Sequence, residues 1–307
     1  MKNTGPDPMK DVVELNRKYG IENELGFCDI KGEPLAWIRN DACAATIALK
    51  GAQLLSWYPS GHEEVFWVST IGPSSPKEPQ RGGVPVCWPW FGPHPNDPSK
   101  PKHGFVRNRR WTVVSTGSTS QLTELTLRTE AAPEDAALWP HQAEVSLRVV
   151  AGAILYLELT TRNTGSQGFE LTQALHSYFR VSDVAKVAVE GFDGLEYLDK
   201  VDAYARKRQS GLIAITGETD RIYLGHAGAA VIHDSELGRG IIVNKSGSAS
   251  SVVWNPWERL ARELGDIGEN GYRRMLCVET ANAGDDVVRI EPGNQHTLVA
   301  KIQIARG

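Results

Sequence analysis

A chain of 307 residues is long enough for two ordinary domains or one large all-β domain, and 41% hydrophobic with 23% charged content is that of a globular protein with a sizeable core. The net charge of −4 at pH 7 excludes a general nucleic-acid binder, because affinity for a polyanion needs broad positive potential. Four widely spaced cysteines, Cys28, Cys43, Cys87 and Cys277, form no C-x-x-C pair and are expected to be reduced thiols outside any zinc or redox motif.

The N-terminal residues lack an apolar signal core, and Asp7, Asp11 and Glu14 speak against a transit peptide. No run approaches the roughly 18 apolar residues of a membrane helix, so the expectation is a soluble, cytoplasmic protein with no membrane partner. Asp7 and Pro8 suit the N-cap and first position of a helix. Met9, Val12, Val13 and Tyr19 give it an apolar stripe and Gly20 a stop. This predicts a helical extension over residues 1–28. Afterwards the strand period takes over. ATIALKGAQLLSWYP, RRWTVVSTGSTSQLTELTLRT, AEVSLRVVAGAILYLELTTRNTG and HTLVAKIQI are rich in β-branched and aromatic residues, and no strand-then-helix alternation or repeat is present. The Pro-rich pieces at 72–79 and 93–101 lie between strand signals and read as long loops, not domain joints.

Residues 81–111, RGGVPVCWPWFGPHPNDPSKPKHGFVRNRRW, combine a Gly/Pro frame, several large aromatics and a cationic end. No acidic residue stands between Asp97 and Glu124, while Lys100, Lys102, Arg107, Arg109 and Arg110 fall close together, so the positive field is not neutralised locally. One reading is the wall of an anionic-sugar site, with rings covering the apolar sugar face and cations meeting a phosphate. The other is a buried aromatic loop beside a solvated basic face. Further on, Val145 to Thr161 alternates polar and apolar residues around Ala151-Gly152-Ala153, the grammar of an antiparallel hairpin.

In ELTQALHSYFRVSD, alternation puts Thr172, Ala174, His176, Tyr178 and Arg180 on one face. An imidazole there suits general acid–base work, or is a structural histidine. Asp220 in TGETDRIYL stands before a strand and reads as a turn residue in preference to a site residue. Residues 257–271 can form a short helix or turn within a loop. Glu279 closes the apolar run Met275, Leu276, Val278 beside small residues, which leaves room for a ligand; a buried ion pair to Arg273 or Arg274 is the competing explanation.

Taken together, RGGVPVCWPWFG, KHGFVRNRRW, ALHSYF, ETDRIY, VVWNPW and MLCVETAN resemble the hexose-6-phosphate mutarotases, or glucose-6-phosphate 1-epimerases, a branch of the aldose 1-epimerase family. The resemblance runs from about residue 30 to the C-terminus. It implies an all-β, galactose mutarotase-like β-supersandwich forming one domain over residues 29–307, behind the short N-terminal helix. It further implies His176 and Glu279 as the catalytic pair, Arg81 and Arg107 as substrate-binding residues, and His103 and Asp220 as contacts to sugar hydroxyls. Lys102 replaces a Gln found in several relatives, and its charge can reinforce phosphate binding. The implied partner is a small hexose 6-phosphate bound by a monomer, with no cofactor and no metal. A non-catalytic sugar-phosphate-binding or regulatory protein, and a mutarotase for unphosphorylated aldoses, are the rival readings. A glycoside hydrolase is disfavoured, because only one strong catalytic carboxylate can be nominated.

Overall fold

The computed structural model describes residues 8–72 and 79–306, within which 23 strands accompany two α-helices. The sequence's period-2 patterning becomes antiparallel sheet. A nine-stranded sheet runs in the order Ile213–Ala214, Ala188–Glu190, Ala230–Asp234, Arg239–Ser246, Gln295–Arg306, Ile154–Asn163, Ala143–Ala151, Leu122–Glu130 and Thr112–Thr119. Strands Ala143–Ala151 and Ile154–Asn163 are the expected hairpin, turning at Gly152 and Ala153. Their inward residues, among them Val145, Leu147, Leu155, Leu157 and Leu159, are buried, while Arg148 on the outer face pairs with Glu124 and Glu158 on neighbouring strands.

An eight-stranded sheet carries the residues of chemical interest. Its path is Ala205–Arg208, Glu196–Asp199, Thr219–Leu224, Ser250–Asn255, Met275–Asn282, Gln173–Leu175 and Val86–Cys87, with Tyr178–Arg180 also paired to Met275–Asn282. One face of this sheet, through Leu175, Phe179, Val253, Leu276 and Val278, joins the large apolar core that it shares with the nine-stranded sheet and with a four-stranded sheet over residues 25–59. The other face holds two smaller apolar clusters, one around Tyr178, Met275 and Cys277, the other around Cys87, Ala174, Val252 and Ala281. Sandwich packing thus leaves one sheet face free for a site.

The helix Pro8–Tyr19 ends where Gly20 N–H bonds Asn16 O, and Val12, Leu15 and Tyr19 pack on the core while Val13 is exposed. The Asp7 cap lies outside the described residues, as does most of the 72–79 loop. The 257–271 segment contains the helix Trp257–Leu264, stopped by Gly265 in the left-handed conformation.

The structure divides the two readings of residues 81–111. The aromatic run from Trp88 to Trp111 is chiefly core: Trp88 and Trp111 are 0% exposed, Phe105 is buried, and the Trp88 indole N–H donates to Thr161 Oγ1 at 2.9 Å. These rings hold the sheets together, as expected for aromatics that find a hydrogen-bond partner inside. Two of the five cations in the basic cluster are neutralised by acids distant in sequence, and a third is tied to a backbone carbonyl. Arg109 pairs with Asp135 at 2.5 Å, Arg110 pairs with Asp11, and Lys100 donates to Leu138 O at 2.9 Å.

Candidate active site

Register brings the two separated chemical residues together. Leu175 opposes Thr280 and Tyr178 opposes Cys277, so carrying the count across the two residues between sets His176 opposite Glu279. The chain is pinched there by the bond from Ser177 N–H to Leu175 O, a γ-turn centred on His176, while His176 N–H reaches Pro85 O at 3.0 Å. His176 Nδ1 lies 3.4 Å from Glu279 Oε1, with side-chain exposures of 11% and 1%. The imidazole stacks on Tyr178, centroids 4.7 Å apart, and meets Trp254 edge-on at 6.0 Å.

Glu279 is mid-strand, not terminal, within Met275–Asn282, and Val252 opposes it on the neighbouring strand. The proposed ion pair to Arg273 or Arg274 does not form: Arg273 bonds Asp183 and Arg274 bonds Ser182 O. Burial, reinforced by Asp220, drives the Glu279 carboxyl well above its ordinary value, against the pull of Lys200. Burial also holds His176 well below the usual imidazole range, helped by His103, Arg81, Arg107 and Lys200. Both shifts favour uncharged forms.

Asp220 corrects another expectation. It is inside the strand Thr219–Leu224, opposite Trp254, and not in a turn. Its Oδ2 accepts from Lys200 Nζ at 2.6 Å, and burial raises its carboxyl despite that cation. Lys200, in the 3₁₀ turn Lys200–Asp202, also sits 5.7 Å from the Phe91 ring centre. Sequence reading missed it. A lone lysine in LDKVDAY carries no periodic signal, and only the sheet order puts it beside Asp220.

His103 and His176 are edge-on neighbours at 5.6 Å. His103 Nδ1 accepts Gly92 N–H at 3.2 Å, so the neutral ring carries its proton on Nε2, a fixed donor. Burial with the cations Arg107, Lys200, Arg81 and Lys102 lowers its pKa to about 3, which keeps it neutral. Its backbone is held at φ 64°, a left-handed conformation costing about 1 kcal/mol for a non-glycine residue. Gly104 follows because a Cβ there would lie 1.7 Å from Trp88 O, and Gly83 because a Cβ would lie 2.1 Å from Leu54 O. Those glycines let the two site loops close on the sheet.

Arg81 and Arg107 line one cavity of about 310 Å³ with Pro85, Tyr178, Leu264 and Asp266. Arg81 Nε donates to Asp266 Oδ2 at 2.7 Å and its Nη1 to the Tyr178 hydroxyl at 3.2 Å. Lys102 stands apart, exposed in the loop before His103. A larger cavity, about 590 Å³, opens past Lys200 and Phe91 toward Trp90, Trp139 and Tyr204. Arg107 Nε, His176 Nδ1, Asp220 Oδ1, Glu279 Oε2 and Asp266 Oδ1 are buried without a protein hydrogen-bond partner. Buried orphans are rare, and the first four suit the hydroxyls and phosphate of a polyhydroxylated, anionic ligand, whereas Asp266 Oδ1, an acceptor at the cationic end, does not suit an oxyanion. Among the described residues no group of three His, Cys, Asp or Glu side chains is placed to hold a metal ion, and no helix is long and apolar enough to cross a membrane.

The chain matches the family model of aldose 1-epimerase over residues 34–303. It is 38% identical over 265 residues to an Escherichia coli (strain K12) protein named "Putative glucose-6-phosphate 1-epimerase", covering 85% of this chain and 87% of that one. A crystal structure of YeaD from Salmonella typhimurium superposes with a TM-score of 0.87 at 32% identity, covering 98% and 100% of the two chains. A galactose mutarotase-like protein from Clostridium acetobutylicum, 14% identical with a TM-score of 0.71 over 92% and 98% of the chains, shares the fold. By model, sequence and architecture, this chain belongs to the aldose 1-epimerase family of isomerases.

Proposed function

We propose that the protein is a hexose-6-phosphate mutarotase that interconverts the α and β anomers of glucose 6-phosphate and related sugar phosphates. The observation that carries this is the pairing of His176 with Glu279 at 3.4 Å, beside a cavity in which Arg81 and Arg107 meet. The shared Tyr178 links the two ends: its ring stacks on His176 and its hydroxyl accepts from Arg81. A carboxyl and an imidazole this close hold one exchangeable proton between them in a setting that discourages a permanent ion pair.

In the reaction, the shared proton passes from Glu279 to His176, and Glu279 then takes the proton from the anomeric hydroxyl while His176 gives one to the ring oxygen, breaking the C1–O5 bond and leaving the open aldehyde. Rotation about C1–C2 presents the other carbonyl face. The C5 hydroxyl then returns its proton to His176 as it attacks C1, Glu279 protonates the new O1, and the return of the shared proton to Glu279 restores both groups to their starting states. His103, with its fixed Nε2–H, and Asp220 bind sugar hydroxyls. Lys200 holds Asp220 and favours ionised Glu279. Arg81 and Arg107 grip the phosphate by charge-assisted bonds, orienting the sugar at a distance from the reacting carbon. Lys102, exposed at the rim, adds long-range attraction for the anion.

The same reading treats residues 29–307 as one working domain with the helix of the 1–28 segment docked on it, active as a cytoplasmic monomer. The test is anomer exchange followed by magnetisation-transfer NMR on glucose 6-phosphate and on glucose, at low and high salt. Faster exchange of the phosphorylated sugar, with a preference that shrinks as salt rises, is expected. Equal rates at both salt levels would assign the protein to unphosphorylated aldoses, and binding without exchange would make it a non-catalytic binder.

A further inference from the structure

One feature of the cationic end is at odds with simple anion binding: Arg81 already has a carboxylate. Asp266 Oδ2 lies 2.7 Å from both Nε and Nη2 of Arg81, and the Tyr178 hydroxyl takes Nη1 at 3.2 Å. A guanidinium has five N–H donors in a planar fork. Asp266 covers the Nε edge and Tyr178 one Nη1 proton, so the outer protons on Nη1 and Nη2 remain for a second oxyanion.

Asp266 is itself firmly placed. Gly265, left-handed at φ 72°, ends the helix Trp257–Leu264 by bonding Ala261 O. The next residue, Ile267, is 1% exposed and packs with Trp67, Tyr178 and Met275. Asp266 is therefore fixed between a helix stop and a buried anchor, with its side chain turned into the cavity that Arg107 shares.

We infer that Asp266 is a positioning residue for anion recognition: it holds the Arg81 guanidinium in the one rotation that presents its free fork beside Arg107, and with it limits the cavity to one net positive charge. This rests on the proposed phosphate grip and assigns that grip a support outside the sugar-contacting residues. A competitor role is the opposite possibility, in which the carboxylate occupies the place of the phosphate and weakens its binding.

Asp266→Asn keeps an acceptor for Arg81 and removes the charge, while Asp266→Ala removes both. Inorganic phosphate binding by titration calorimetry, and KM and kcat for glucose 6-phosphate beside kcat/KM for glucose, separate the roles. Asp266→Ala should weaken phosphate and raise KM for glucose 6-phosphate roughly tenfold, the loss of one charge-assisted contact. Its kcat and its glucose kcat/KM should stay at wild-type values, and Asp266→Asn should recover most of the lost phosphate affinity. Tighter phosphate binding by both variants would establish the competitor role and overturn the inference. So would equal losses for glucose and glucose 6-phosphate, the mark of a merely structural residue, or unaltered phosphate affinity in Asp266→Ala. A wild type that exchanges glucose anomers yet binds no phosphate would remove the phosphate grip itself, and the positioning role with it.

Discussion

The two ends of the site treat charge in opposite ways. At the acid–base end, burial drives Glu279 and His176 toward their uncharged forms, and Lys200, the cation that favours ionised Glu279, is engaged by Asp220. At the anion end, burial alone would lower the Arg81 guanidinium, but Tyr178 and Asp266 hold it above its ordinary value, so the charge is kept. Groups meant to exchange protons are desolvated and left without full hydrogen bonding; at the gripping end Arg81 is paired and fixed, while Arg107 Nε is left open to the ligand. One sheet face supports both, because Tyr178 belongs to each.

Substitutions at the two ends should therefore fail differently. The larger effect is expected at the acid–base end: His176→Asn should lower kcat for anomer exchange by about 100-fold or more with phosphate affinity retained. A loss appearing only in KM would erase the distinction. Next, Arg107→Ala should raise KM for glucose 6-phosphate by about 10-fold to 100-fold with kcat nearly unaltered, and should flatten its salt dependence. A fall in kcat with unchanged KM would place Arg107 in the chemistry.

Lys200→Met, at the acid–base end, should cost about tenfold in kcat at neutral pH. Without the cation, Glu279 ionises less readily, so the deficit should narrow as pH rises, and Lys200→Arg should retain activity. A pH-independent deficit would contradict the electrostatic role.

The smallest effect concerns stability outside the site. His226 Nδ1 lies 2.8 Å from Ser251 Oγ, and burial, with Lys245 nearby, lowers its pKa to about 4. An unfolded imidazole titrates near ~6.5, so as pH falls the unfolded chain takes up the proton first. The stability tied to neutral His226 is intact above about pH 6.5 and is lost progressively toward pH 4. His226→Gln should reduce the fall in Tm across that window by a few degrees. An unchanged slope would show that His226 is not a source of the acid sensitivity.

Much of this was legible in the chain. The period-2 runs and the turn at Gly152 specify antiparallel sheet, and alternation alone puts Ala174, His176 and Tyr178 on one face, where the structure has them. What alternation does not encode is which strands are neighbours. His176 and Glu279 are opposed because their strands pair across a hundred residues, and the sequence shows the two faces but not the pairing. The same ignorance of neighbours hid Lys200 and Asp266. It also hid the partners of part of the cationic cluster, since Asp11 and Asp135 reach Arg110 and Arg109 only on folding. The Trp88 to Trp111 segment stayed ambiguous for a different reason. Aromatics serve a core and a sugar site equally well, and burial decided for the core.

The most direct test is to compare wild type with Glu279→Gln in magnetisation-transfer NMR on glucose 6-phosphate, with ligand binding measured on the same samples. Wild type should accelerate α–β exchange, and the variant should lose about 1,000-fold of that acceleration while binding glucose 6-phosphate as before. A variant that exchanges the anomers at the wild-type rate would contradict the assignment of Glu279 and His176 as the proton-transferring pair.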